Sequence, residues 1–209
     1  MDMFSVMHGT TRDITMLMDF LPAYLYPYNE EGILEYGVLG VSQGGHASWM
    51  SLYQQGHTPS NQNNSDFVDR KLSFACSVIG CPDYNNLMEL RLAEHGLEPV
   101  HPYTCEAFQR VLRRLDLGSM VRRWEEGPPE RLRIHLQRLL EKSVLVLSGG
   151  DDKLVPWKAS EHVVQKLQEV LGEAMSVKVY DGVGHEFTQE MKKEFKVWLV
   201  ELLNSREDD

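Results

Sequence analysis

Residues 36–45 read Tyr36-Gly37-Val38-Leu39-Gly40-Val41-Ser42-Gln43-Gly44-Gly45, and they carry the strongest indication of the fold. Its first residues form a short apolar run, which predicts a buried strand over 36–41. The residues over 43–55 predict a helix, and the small side chains in its first turns let that helix lie close against the strand. The junction between the two elements therefore falls on Ser42.

Ser42 lies at the centre of a G-x-S-x-G pattern, with Gly40 two residues before it and Gly44 two residues after it. In this pattern a serine on a tight strand-to-helix turn is pushed out of the sheet, and the strained backbone needs neighbours without side chains. The N-terminus of the following helix points at the oxyanion that develops during acyl transfer, so the Gln43 N–H is the predicted first oxyanion donor. We therefore predict that Ser42 is a nucleophile.

Candidate partners for the serine follow two later strands. Asp151 and Asp152 come after Gly149-Gly150, which ends an apolar run, and His185 follows the last predicted strand. A triad needs a carboxylate that holds the imidazole in the correct tautomer and stabilises the imidazolium. From the residues alone, either aspartate can fill that role. The chain order serine, aspartate, histidine differs from the orders of the chymotrypsin-like and subtilisin-like proteases.

Strands and helices alternate along the chain. Strands are predicted over 36–41, 72–79, 143–148 and 176–180, and helices over 43–55, 157–171 and about 187–203. An earlier helix is predicted to begin at Thr10, where Thr10 and Asp13 form a capping box, and Pro22 and Pro27 mark its exit. Such alternation predicts an α/β domain with a mostly parallel sheet covered by helices.

One connection interrupts this alternation. The segment between the second and third strands is far longer than the roughly 4–6 residues usual for a connection, and it has helical character near 86–95, 104–115 and 129–141. We predict a helical lid over 83–142 that covers Ser42, with Phe108 and Leu112 lining the substrate pocket. The chain then divides into a first core part over 1–82, the lid, a second core part over 143–204 and a disordered tail over 205–209.

Composition and charge exclude several kinds of partner. The formal net charge of −10 argues against nucleic acid, and no apolar run reaches the roughly 18 residues that a membrane span needs. The N-terminal residues lack the apolar run of a signal peptide, so we expect a cytoplasmic protein. Cys76, Cys81 and Cys105 have neither disulfide nor zinc spacing, and we expect three buried thiols and no metal site.

From Gly40 to its end, the chain resembles the α/β-hydrolase superfamily. The stretches 36–49 and 152–156 are similar to its esterase and prolyl-oligopeptidase-like branches. The stretch 40–45 is also similar to the elbow of carboxylesterases and acyl-protein thioesterases.

This resemblance implies roles for particular residues. The acid loop of the superfamily, D-x-x-V-P, matches Asp152, four residues before Pro156, and so favours Asp152 over Asp151 as the acid. The resemblance implies a serine hydrolase that forms an acyl-enzyme on Ser42, with His185 as the base. It also implies a small-molecule acyl substrate and no metal or organic cofactor.

The sequence departs from this superfamily before the elbow. There the fold has several strands, and the loop after its third strand supplies a second oxyanion N–H. His8-Gly9 is a candidate for that loop, but only 34 residues lead from His8 to Ser42. The intervening elements would need on the order of fifty residues. We therefore interpret His8-Gly9 as the lead-in to the helix at Thr10, and expect a fold that lacks its first strands and exposes a sheet edge.

Three functions fit this pattern. The first is a serine hydrolase acting on an ester, a thioester or an amide. The second, suggested by the missing oxyanion loop, is a non-catalytic protein that binds a small apolar ligand. The third keeps the triad but transfers the acyl group to an alcohol or a peroxide. The sequence leaves the substrate and the oligomeric state open.

Overall fold

The sheet of this protein has four parallel strands in the order β1-β2-β3-β4. A computed structural model describes residues 3–28, 33, 35–54, 72–98, 105–128, 136, 139–140 and 142–207. The strands are β1 (Tyr36–Val41), β2 (Leu72–Val78), β3 (Ser143–Gly149) and β4 (Met175–Tyr180). The predicted parallel sheet is confirmed, with each strand within one residue of its expected bounds.

Seven helices flank this sheet in the described ranges. They are α1 (Met3–Leu25), α2 (Gln43–Gln54), α3 (Tyr84–Glu94), α4 (Glu106–Leu115), α5 (Leu117–Glu125), α6 (Trp157–Leu171) and α7 (Gln189–Glu207). A short 3₁₀ turn, Gly172–Ala174, leads from α6 into β4. Helix α5 was not predicted, and the helix expected over 129–141 falls mostly outside the described residues.

The two faces of the sheet are covered by different helices because successive side chains of a strand point to opposite sides. Val144 and Val146 of β3 belong to a large apolar cluster that also contains residues of α2, α5 and α6. Leu145 and Leu147 of the same strand pack with Met191 of α7 on the other side. The result is a three-layer α/β arrangement in which both faces of the central strands are buried.

Helix α1 begins earlier than the sequence predicts, and it ends at Leu25, between the two prolines expected to mark its exit. Thr10 is not a cap, because its hydroxyl donates to the Val6 carbonyl one turn earlier in the helix, at 3.1 Å. Pro22 does not end the helix either. A proline at that position removes the N–H that would bind the Met18 carbonyl, and the Tyr36 hydroxyl donates to that carbonyl at 2.9 Å instead. The interpretation of His8-Gly9 as a lead-in is therefore wrong, since both residues lie within α1.

The predicted disordered tail also needs correction. Helix α7 continues to Glu207, so 205–207 are helical, while 208–209 lie outside the described residues. Arg206 accounts for the extension, since its guanidinium forms an ion pair with Glu35 and lies over the ring of Phe74, 5.7 Å from its centroid. These contacts fasten the end of α7 to the sheet.

The long insertion is tied to the end of β2 by a buried ionic cluster. Asp83 caps the N-terminus of α3 by accepting from the Asn86 N–H at 3.0 Å, and it also pairs with the Arg122 guanidinium of α5. Asp116 caps α5 by accepting from the Ser119 N–H at 2.9 Å. Burial and the neighbouring Asp83 raise the pKa of Asp116 to about 6.

Among the described residues, β1 is an edge strand that pairs only with β2. Its residues Leu39 and Val41 are 39% and 36% exposed, and Phe20 and Tyr24 of α1 are exposed as well. The exposed sheet edge expected from the sequence is therefore present in the described part of the chain.

Within the described ranges no helix is long and apolar enough to cross a membrane.

Candidate active site

Ser42 occupies the sharp turn between β1 and α2. Its φ is 55°, in the left-handed region that residues with a side chain seldom adopt. Two main-chain hydrogen bonds hold this conformation: the Ser42 N–H donates to the Val78 carbonyl at 2.9 Å, and the Ser42 carbonyl accepts from the His46 N–H at 3.1 Å. The first bond ties the turn to β2 and the second begins α2. Such strain at a polar residue is common where a side chain has to be presented for chemistry.

The glycines around Ser42 differ in what they do. A methyl group on Gly40 would lie closer than 3.0 Å to the Gly44 carbonyl, so this position has no room for a side chain. Gly44 itself has open space around it in the described part of the molecule. The close approach that we expected at Gly44 is made by the next residue, because Gly45 and Gly80 have their backbones in contact. This contact packs the first turn of α2 against the end of β2.

The structure brings the three predicted site residues together in one chain of hydrogen bonds. Ser42 Oγ lies 2.7 Å from His185 Nε2, and His185 Nδ1 lies 2.7 Å from Asp152 Oδ2. The Asp152 side chain is fully buried, whereas the His185 side chain is 22% exposed. The histidine can therefore be reached from outside while the carboxylate that faces it is shielded from water.

Of the two candidate acids, it is Asp152 that contacts His185. Its second carboxylate oxygen, Oδ1, accepts from the N–H groups of Leu154 and Val155 at 2.8 and 2.9 Å. These two bonds orient the carboxylate towards His185. Asp151 instead uses its main chain, donating its N–H to the Val183 carbonyl at 3.0 Å, and its side chain is exposed.

The N-terminus of α2 supplies a candidate for oxyanion binding. The first N–H groups of a helix have no acceptor within that helix, and Gln43 is the first residue of α2. Its N–H and the positive end of the helix dipole are next to Ser42, which suits a developing negative charge. His8-Gly9 offers no second donor of this kind, because its N–H groups lie within α1.

Sequence reasoning missed a buried histidine beneath this turn. His46 follows Ser42 by one helical turn and is only 3% exposed, and its Nδ1 lies 2.8 Å from the Cys81 main-chain nitrogen. Burial lowers the pKa of His46 to about 4, although Nδ1 also lies 2.8 Å from the Cys81 carbonyl oxygen, an acceptor that raises the pKa. The one signal in the sequence is its position in a helix buried along most of its length, from Gly45 to Tyr53.

The cysteines agree only in part with the expectation of three buried thiols. Cys76 and Cys81 are buried, and burial raises the pKa of each thiol to about 12. Cys105 is exposed, so that prediction is wrong. It sits before α4 as its cap, with Sγ accepting from the Phe108 N–H at 3.4 Å. Within the described part of the chain, no group of three or more acidic, histidine or cysteine residues could hold a metal ion.

The predicted pocket residues are placed differently from what the sequence suggested. Leu112 is 1% exposed and packs in a cluster with Phe4, Met7, Met50 and Tyr84, so it contributes to the core instead of an open pocket. Phe108 is half-buried beside the same cluster. Helix α5, also inside the predicted lid, packs into the main core through Leu117, Met120, Val121 and Trp124. A lid over Ser42 stays a prediction.

A parallel α/β sheet with a serine, a histidine and an aspartate meeting at the strand ends is the architecture of many hydrolytic enzymes. No protein-family profile matches the chain, and no curated protein sequence matches it significantly. Among solved structures, a variant of Arabidopsis thaliana SOBER1 is similar, with a TM-score of 0.52 and 17% identity over 95% of this chain and 66% of that one.

Two further solved structures have the same kind of similarity. Zea mays acyl-protein thioesterase 2 has a TM-score of 0.52 and 20% identity over 93% of this chain and 64% of that one. A protein of unknown function from Agrobacterium tumefaciens, provisionally described as an α/β-hydrolase, has a TM-score of 0.50 and 17% identity, covering 93% and 61%. The chain thus spans less than two thirds of the length of these proteins. The similarity shows that it has the α/β-hydrolase fold.

Proposed function

We propose that this protein is a serine hydrolase that cleaves an ester, a thioester or an amide through an acyl-enzyme on Ser42. The observation that carries the proposal is the continuous chain of two 2.7 Å contacts from Ser42 through His185 to Asp152. A serine hydroxyl is a weak nucleophile unless a base stands within hydrogen-bonding reach, and that base works best when a third group orients it. Both conditions are met around Ser42, by His185 and by Asp152.

The proposed reaction uses each residue at a stated atom. His185 Nε2 removes the proton from Ser42 Oγ as that oxygen attacks the acyl carbon, and it later donates a proton to the leaving group. Asp152 holds the imidazole with Nδ1–H directed at its Oδ2 and stabilises the imidazolium that forms. A water molecule activated by the same histidine then attacks the acyl-enzyme and releases Ser42.

The negative charge on the attacked carbonyl oxygen needs donors of its own. The Gln43 N–H, at the N-terminus of α2, is the donor that we propose. Loss of one such donor in another serine hydrolase costs roughly 10²–10³ in rate. The rate reached by this chain therefore depends strongly on whether a second N–H reaches the same oxygen.

The chemistry of the proposed triad and one of the similar structures support a class of substrate. A triad of this kind acts on acyl groups that are bound to oxygen, sulfur or nitrogen. The proposed substrate is a small molecule, and the proposed reaction needs no cofactor. One similar structure is named an acyl-protein thioesterase, so a thioester belongs in any substrate panel beside p-nitrophenyl esters. Product analysis with an added alcohol separates hydrolysis from acyl transfer. A cytoplasmic location stays a prediction.

Labelling by a fluorophosphonate probe tests the proposal directly, because such probes react with activated serines. The wild type should be labelled, and Ser42→Ala should not be labelled. The matched control is Ser48→Ala, since Ser48 lies in α2, is fully buried and donates its hydroxyl to the Gly44 carbonyl. It should be labelled like the wild type. A folded wild type that stays unlabelled, or a labelled Ser42→Ala, would contradict the proposal.

The alternative function is binding of a small apolar ligand without turnover. It is favoured by one observation, that a single oxyanion donor can be identified around Ser42 in the described ranges and that His8-Gly9 lies in a helix. Under this alternative, the wild type binds a p-nitrophenyl ester in a displacement assay but neither releases p-nitrophenol nor reacts with the probe. Release of p-nitrophenol that is lost in Ser42→Ala would rule it out.

A further inference from the structure

The two loops that carry Asp152 and His185 are joined along their main chains. β3 and β4 are paired up to Gly149 and Tyr180, where the strands end. Beyond that point the Gly150 N–H donates to the Tyr180 carbonyl at 2.8 Å, and the Asp151 N–H donates to the Val183 carbonyl at 3.0 Å. The loop before His185 is therefore held against the loop that leads to Asp152.

Gly149 is the point at which these loops approach most closely. A methyl group on Gly149 would lie closer than 3.0 Å to two main-chain oxygens, those of Val183 and Gly184. Neither oxygen can rotate away as a side chain could. The φ of Gly149 is not positive, so its backbone conformation does not require glycine. Position 149 requires glycine because there is no space for a side chain: the peptide groups directly before His185 pack against the Cα of Gly149.

We propose that Gly149 is a positioning residue for the catalytic histidine, a role that rests on the hydrolase function proposed above. By lacking a side chain, Gly149 lets the histidine loop settle onto the end of β3. The imidazole then reaches Ser42 on one side and Asp152 on the other, both at 2.7 Å. A methyl group at Gly149 would stand about 1 Å inside ordinary van der Waals contact with both oxygens, and the loop would have to retreat.

A displacement of that size matters for catalysis. Misplacing a reacting group by about 1 Å can lower a rate by about 10²-fold. The hydrogen bonds at His185 would lengthen, whereas substrate contacts made elsewhere would not change. Gly149→Ala should therefore lower kcat by about 10²-fold and leave KM nearly unchanged.

The chain offers a graded set of alanine substitutions in the same loops. Gly184→Ala is the matched control, because Gly184 directly precedes His185 but has open space around it among the described residues. Gly150→Ala is the mild variant, since its methyl would lie 3.2 Å from the Tyr180 carbonyl oxygen and requires only a small adjustment. The expected losses in the rate of fluorophosphonate labelling are about 10²-fold for Gly149→Ala, two- to tenfold for Gly150→Ala and less than twofold for Gly184→Ala.

A second readout does not depend on activity. The proton on His185 Nδ1, hydrogen-bonded to Asp152, should give a low-field proton resonance in the wild type and in Gly184→Ala, and this resonance should be lost in Gly149→Ala. If the wild type shows the resonance but is not labelled, the hydrolase function fails while the positioning role can still be measured. An unchanged resonance and labelling rate in Gly149→Ala would overturn the role. If Gly149→Ala does not fold, Gly150→Ala decides, and a wild-type labelling rate there would overturn it as well.

Discussion

Replacing His46 with asparagine should remove the loss of folding stability that this residue causes as the pH falls below about 6.5. His46 is buried beneath the Ser42 turn, and burial lowers its pKa from 6.5 to about 4. Between those values the unfolded chain carries a proton on this residue and the folded chain does not. Folding stability is therefore lost as the pH falls from 6.5 towards 4, because the unfolded state binds more protons.

The size of the effect follows from the same two values. A difference of 2.5 pKa units, 6.5 minus 4, corresponds to about 3 kcal/mol when each unit is about 1.4 kcal/mol. From about pH 7.5 to about pH 4.5 most of that difference, roughly 2–3 kcal/mol, should be lost. This is a large share of the 5–15 kcal/mol that is typical for a domain.

The assay is urea denaturation of the wild type and of His46→Asn over this pH range. Asparagine can keep an acceptor near the Cys81 N–H but does not titrate. The variant should be less stable than the wild type near pH 7.5, because it leaves a small void, and the two stabilities should converge towards pH 4.5.

A direct comparison of the two proteins is necessary because Asp116 has the opposite effect. Asp116 lines the same small cavity as His46, and its pKa is raised from 3.8 to about 6. Between pH 4 and pH 6 Asp116 carries a proton in the folded state but not in the unfolded state. Asp116 therefore increases folding stability as the pH falls from 6 towards 4. The Asp116 contribution is present in both proteins and cancels in their difference. Parallel stability curves for wild type and variant would refute the reasoning about His46.

Two further predictions concern the turn and the acid. Asp152→Asn should lower kcat by about 10⁴-fold, as the same change does in the serine-protease triad. Asp151→Asn should lower kcat by less than about tenfold. Steady-state kinetics on a p-nitrophenyl ester will rank the two variants. The reverse ranking would assign the acid to Asp151. Gly40→Ala should destabilise the fold by about 3 kcal/mol, because its methyl meets the Gly44 carbonyl. Gly44→Ala, which has open space around it, should stay within about 1 kcal/mol of the wild type in urea denaturation.

The parts of the fold that could be predicted are those whose sequence signal is local. β1 and α6 have the predicted bounds, because an apolar run and a helical period are complete within each segment. The three site residues could be predicted for a related reason. Each follows a strand directly, and the carboxyl ends of parallel strands meet at one edge of a sheet.

The parts that could not be predicted depend on contacts between distant residues. Helix α5 carries Arg122 and Arg123 within a short sequence, which weakens its apolar pattern, and its position is set by the pairing of Arg122 with Asp83 across the insertion. The start of α1 was misjudged because Thr10 can cap a helix or bond backwards within one, and only the fold decides between the two. His46 had no local signal beyond its position in α2, since its hydrogen-bond partner is Cys81, 35 residues further along the chain.

The contacts that fix the triad all lie on one side of Ser42. The Ser42 N–H is bound by Val78 of β2, the first turn of α2 rests on Gly80, and the loops of β3 and β4 are joined through Asp151 and Val183. The open outer side of β1 contributes to none of these contacts. Assembly of the triad is therefore physically separate from completion of the oxyanion site, which needs a donor on the far side of the attacked carbonyl. Any group that covers the open side of β1 should then change the turnover rate more than it changes the His185–Asp152 hydrogen bond.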